Sequence, residues 1–111
     1  SDIDLSHLTS VTLMSICVMG DARVTFPTSL KDLHLSGEGK ILDSNISDLA
    51  LVKYQQLESR PLTEEDLEKL PKTIQEISAS CESASLQQRV REVLPHLLPA
   101  HVKLDCAPSR H

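Results

Sequence analysis

The stretch PLTEEDLEKLPKTIQEISASCE, residues 61–82, holds two kinds of local order in very little chain. In its first half, Thr63 stands where an N-cap oxygen is needed, and Asp66 lies three positions on, where the acid of a capping box sits. Three acids fall in the first turn, where the helix dipole favours negative charge. Leu67 and Leu70 share one face at i and i+3, and Pro71 stops the helix after about two turns, because it has no N–H to donate. In the second half the period changes. Ile77 and Ala79 alternate with Glu76, Ser78 and Ser80, so the spacing predicts a short strand with one buried face, led in by Ile74. The unit is helix, proline, strand.

Moving outward, the same apolar spacing recurs. LTSVTLMSI places Leu8, Val11, Leu13 and Ile16 at L-x-x-L-x-L-x-x-L. LKDLHLSG supplies Leu30, Leu33 and Leu35, and ISDLALVKY supplies Ile46, Leu49, Leu51 and Tyr54. Near the end, PAHVKLDC carries Val102 and Leu104, with Pro99 in the first apolar place. With the last apolar residue of each L-x-L as marker, positions 13, 35, 51, 79 and 104 are separated by 22, 16, 28 and 25 residues. One interval is short, which makes the third unit degenerate or GEGKILDSN a tight turn without a helix. A second amphipathic run, ASLQQRVREVLPHLL, puts Leu86, Val90, Val93, Leu94 and Leu97 on one helical face, with Ser85 as a cap and Pro95 ending or kinking it. The C-terminal end is therefore expected to run strand, helix, strand.

This pattern resembles the leucine-rich repeat family, whose core motif is L-x-x-L-x-L-x-x-N/C. The run LTEEDLEKLPKTIQEISAS looks like the helix-then-strand layout of many bacterial and some eukaryotic members. The chain departs from the motif at the Asn/Cys place, which holds Ile16, Glu38, Tyr54, Glu82 and Ala107, with Cys17, Cys81 and Cys106 each within one position of it. The resemblance implies an α/β solenoid, with short parallel strands on one face and helices or irregular segments on the other. It implies a protein-binding role without catalysis, as in secreted bacterial effectors or cytosolic immune receptors, and hence a cytoplasmic location in the producing cell or in a host. Stacked units bury faces that a single unit cannot, so open ends invite self-association. The competing reading is an ordinary α/β regulatory or enzyme-subunit domain whose register is accidental.

Composition fits either reading. At 111 residues and 40% apolar content the chain makes one domain, residues 1–111, and its start at Ser1 suggests a piece of a longer protein. Phe26 and Tyr54 are the only aromatic residues, so the core is built of Leu, Ile and Val. A net charge of −5 opposes extensive phosphate contact, which argues against a nucleic-acid partner. The acids Glu58, Glu64, Glu65, Asp66 and Glu68 read as a solvated face. No apolar run is long enough to span a bilayer. Three cysteines without C-x-x-C imply no metal framework or disulfide ladder, and their odd number fits a reducing compartment.

No reaction is specified. His34, His96 and His101 lack the spacing of a helical metal pair, and Cys81 beside Glu82 reads as a small buried hydrophobe rather than a nucleophile. Gly37 and Gly39 in SGEGK read as a turn, since the phosphate-loop spacing is missing and Glu38 would repel an anion. No cofactor or metal site is expected. What remains is a surface. Strand side chains alternate between faces, so in the repeat register Thr12, His34, Ala50, Ser78 and Lys103 point away from the core, followed by Met14, Ser36, Val52, Ser80 and Asp105. These ten residues are the expected contacts for a partner protein.

Overall fold

A computed structural model describes residues 2–56, 61–81 and 85–106. It is a mixed α/β structure with two parallel sheets and no closed barrel. Eight strands run β1 (Asp2–Asp4), β2 (Leu13–Cys17), β3 (Ala22–Thr25), β4 (Asp32–Ser36), β5 (Ile41–Ser44), β6 (Lys53–Gln56), β7 (Glu76–Cys81) and β8 (Val102–Cys106). Helix α1 (Glu64–Lys69) precedes β7 and helix α2 (Ser85–Val93) precedes β8; short 3₁₀ turns lie at Ile46–Asp48 and Pro99–His101. The large sheet has the order β2-β4-β6-β7-β8 and the small one β1-β3-β5, every pair parallel. Its radius of gyration is 13.7 Å and its extents are 44 × 30 × 18 Å.

The stretch that opened the sequence reading folds as its residues dictate. The Thr63 hydroxyl accepts from the Asp66 N–H at 3.1 Å, while the Asp66 carboxylate accepts from the Thr63 N–H at 3.4 Å, completing the capping box. The helix ends at Leu70 before Pro71, and Leu67 and Leu70 are buried. Strand β7 alternates as expected, with Ile77, Ala79 and Cys81 inward. Helix α2 buries Leu86 and Val90, and Leu94 just past its end is buried too. Lys72 Nζ donates to the Val93 carbonyl at 2.9 Å, a cation placed where the helix dipole is negative.

Two registers differ from the sequence reading. In the first segment Leu13 faces solvent at 58% exposure, while Met14 and Ile16 pack against the core. In the third, the strand is not built on Leu49 and Leu51 but on Tyr54 and Gln56, with Ile46 and Leu49 buried in and beside the preceding 3₁₀ turn. Sheet pairing puts Met14, Leu33, Tyr54, Ile77 and Val102 in one inward row, and Ile16, Leu35, Gln56, Ala79 and Leu104 in the next. The second row is spaced 19, 21, 23 and 25 residues, a steady progression that replaces the uneven intervals. GEGKILDSN is likewise not a bare turn: it contains β5, and in the first half of the chain strands stand where helices or irregular segments were expected.

One bonding scheme recurs from strand to strand. The Thr12 carbonyl accepts from the N–H groups of Lys31 and Asp32, the Lys31 carbonyl from Val52 and Lys53, and the Val52 carbonyl from Gln75 and Glu76, at 2.7–3.1 Å. Side chains reinforce it one residue earlier. Ser29 donates to the Val11 carbonyl at 2.6 Å and Thr73 to the Leu51 carbonyl at 2.8 Å, and His96 Nε2 lies 2.7 Å from the Ile74 carbonyl. His96 thus has a structural place. Asn45 bonds both ways to the Phe26 backbone, at 2.7 and 3.0 Å, joining successive stretches of the small-sheet side.

The turn reading of Gly37 and Gly39 is realised in the geometry. Gly37 has φ +90°, and a Cβ there would lie 2.2 Å from the Val18 carbonyl oxygen. One at Gly39 would lie 2.6 Å from backbone atoms of Gly20. The core behind them is mainly aliphatic, with Phe26 and Tyr54 its aromatic members and Cys81 and Gln56 its exceptions.

Candidate interaction face

The inward rows of the large sheet are buried in one core with residues of α1, α2 and the small sheet, whereas the side chains on its other face are exposed or half-buried, so that face carries no element among the described residues. Parallel sheets are nearly always covered on both faces, which makes this bare face the most informative surface of the chain. Alternation along each strand decides what it presents. The central row is Ser15, His34, Gln55, Ser78 and Lys103, five polar side chains in consecutive strands and in strict register. Beside it run Cys17, Ser36, Ser80 and Asp105, and on the other flank Leu13, Asp32, Lys53 and Glu76. Between β6 and β8 the face sinks into a shallow hollow of about 380 Å³, lined by Gln55, Ser78, Ser80, Lys103 and Asp105.

Of the ten residues expected to bind a partner, His34, Ser36, Ser78, Ser80, Lys103 and Asp105 lie together on this face. Thr12, Ala50 and Val52 are exposed but sit before the strands, at the edge where the chain enters the sheet. Met14 is displaced altogether: it points inward and packs against the core. Ser15 and Gln55 are the residues that the reading missed. Both follow from the register correction, since Lys53-Tyr54-Gln55-Gln56 alternates correctly once Gln56 is accepted as an inward residue.

Gln56 explains why that was hard to see. It is 2% exposed, a polar group in a core row, and its bonds are made inside. Its Oε1 accepts from the Tyr54 hydroxyl, and its Nε2 donates to the Pro61 carbonyl at 3.2 Å and to the Asp66 carboxylate at 3.3 Å. A buried amide satisfied in this way avoids the cost of desolvation. It also ties β6 to the cap of α1.

The cysteines depart from expectation. Cys81 is buried, but it is a disulfide-bonded residue rather than a free thiol, and its register partner across β7 and β8 is Cys106. Cys17 is free, exposed on β2, with its thiol 3.3 Å from the Met19 sulfur. Glu58, Glu82 and Ala107, which entered the sequence argument, lie outside the described residues. Among the described residues no group of three or more His, Cys, Asp or Glu side chains is arranged to hold a metal ion, and no helix is long and apolar enough to cross a membrane. At the first strand, Ser6 donates to Asp4 through its hydroxyl and its N–H, which holds that carboxyl below the usual range.

No protein-family model matches the chain, and no curated protein or solved structure shows significant similarity to it.

Proposed function

We propose that the chain is a leucine-rich-repeat-like solenoid that binds another protein through the bare face of its large sheet and does no chemistry of its own. The observation that carries this reading is the uncovered parallel sheet with its unbroken polar row from Ser15 to Lys103. Polar side chains in the centre, with charges at Lys103 and Asp105, suit a partner that lays polar groups and a few charges across the strands. The recurring carbonyl bonds at Thr12, Lys31 and Val52 support a true repeat over an accidental register, because an irregular α/β domain has no reason to reuse one bonding scheme. The LTEEDLEKLP layout favours the secreted-effector context.

The compartment belongs to the same reading, and here the disulfide weighs against the resemblance. A disulfide at Cys81 persists where glutathione does not reduce it, so we place the folded chain in an oxidising compartment rather than the cytoplasm. Alkylation and mass spectrometry of protein taken from its native source read this directly: a labelled, reduced Cys81 would return the chain to the cytoplasm.

For the binding face, the quadruple substitution His34→Ala, Gln55→Ala, Ser78→Arg and Lys103→Glu tests the proposal. A partner captured by cross-linking to the native chain should be lost at unchanged melting temperature. Retention of that partner would remove the sheet face from consideration.

A further inference from the structure

A second cleft does not lie on the sheet face just described. It opens on the opposite side, between β5 and α1, with a volume of about 550 Å³. Its origin is geometric. The small sheet ends at β5, and the next element on that side is a helix, which needs about 8–10 Å to its neighbour where strands need about 4.8 Å. A wedge of space is left between them.

Strand β5 is the edge of its sheet, and among the described residues no backbone hydrogen bond crosses from Ile41–Ser44 to α1. Its outward N–H and C=O groups therefore line one wall of the cleft. The apolar part of the lining comes from Leu35, Ile46 and Leu70, and Leu42 on β5 is 49% exposed, a large apolar side chain left beside an open strand edge. The rim is acidic: Lys69 and Glu65 are paired with each other at 3.3 Å and Asp66 is held in the α1 cap, which leaves Glu38 and Asp43 against Lys40.

We propose that this edge and cleft form a second docking site, separate from the large-sheet face, which receives an extended basic segment of another protein by strand addition to β5. Main-chain bonds to the edge would supply attachment, and pockets for alternate side chains would supply selection, one apolar residue against Leu42 and the cleft lining and its basic neighbours toward Glu38 and Asp43. The same charges decide against a second copy of this chain. Two β5 edges brought together would set Asp43 and the acidic rim of one copy against those of the other, a like-charge arrangement that blunts edge pairing.

The test uses a fluorescein-labelled hexapeptide of alternating lysine and valine, KVKVKV, long enough at about 3.3 Å per residue to pair along all of β5. Anisotropy should show saturable binding, at least tenfold weaker for EVEVEV and for KVKVKV methylated at every second amide nitrogen. Amide shift changes should centre on residues 40–44. The double substitution Leu42→Glu, Asp43→Lys should weaken binding at least tenfold without lowering the melting temperature, while the quadruple variant of the sheet face should bind as the native chain does. No saturation by millimolar peptide, equal affinity for the acidic peptide, or shifts centred on His34, Gln55 and Ser78 would each overturn the proposal. Loss of sheet-face binding alone leaves it standing.

Discussion

At the scale of single residues, the tightest demands come from the two glycines of SGEGK. Gly37→Ala places a side chain at φ +90° and against the Val18 carbonyl, so it should cost about 1–3 kcal/mol in urea denaturation. Gly39→Ala should also destabilise, because the two nearest atoms it meets are backbone and cannot rotate away. Gly20 is the control. Nothing lies within 4 Å of a Cβ built there and its φ is not positive, so Gly20→Ala should leave stability within about 0.5 kcal/mol. Gln56 makes the opposite kind of demand. Gln56→Leu fits the apolar row by hydrophobicity, yet it leaves the Tyr54 hydroxyl and the Asp66 carboxylate without this partner, and about 1–3 kcal/mol should be lost. A gain in stability would show that the amide is held by something other than these bonds.

Among the elements, α1 and β7 were legible because everything that specifies them is local. The capping pair at Thr63 and Asp66 and the stop at Pro71 lie within nine residues, and the alternation of Ile77 and Ala79 needs no knowledge of neighbours. Thr63→Ala should cost about 1 kcal/mol by removing one side of the cap. The strands β2 and β6 were legible as strands but not in register. At β2, Leu13 is the more hydrophobic-looking candidate, yet Met14 and Ile16, continued by buried Val18, make the better inward alternation. At β6, the 3₁₀ turn at Ile46–Asp48 reproduces the i, i+3 apolar spacing of the motif, and the true second inward residue is a glutamine. Leu13→Ser tests the corrected register and should be nearly neutral, within about 0.5 kcal/mol, whereas Ile77→Ala, inward in both readings, sets the scale of a buried position with a loss of about 2–5 kcal/mol. Strand β5 was missed because Ile41, Leu42, Asp43 and Ser44 carry no alternation, a pattern that only pairing with β3 makes intelligible. As for the proposed binding face, six of its residues were placed by the repeat register alone, and Ser15 and Gln55 were lost to the same one-strand errors.

For the whole molecule, burial is uneven along the large sheet. The inward residues of β4, β6 and β7 are fully covered, while Met14 and Ile16 at one edge and Val102 and Leu104 at the other are only half-buried. Protection against amide exchange should therefore be highest in β4, β6 and β7 and fall toward β2 and β8, with the disulfide at Cys81 holding β7 more firmly than its position alone would. Uniform protection across all five strands would mean that the sheet opens only as one unit. The exchange of strands for helices on the back of the large sheet has a further consequence for shape. Where β1, β3 and β5 stand behind it, equal strand spacing on front and back would keep a stack of repeats straight. Where α1 and α2 stand behind it, the back advances about twice as far as the front, and across a layer about 10 Å thick this turns each successive strand by on the order of 30°. On the proposed solenoid reading, the surface offered to a partner is flat at the β2 end and bent inward toward β8. A ligand matching it would be shaped like a hook, with its straight shank over Ser15 and His34 and its curve seated at Ser78 and Lys103.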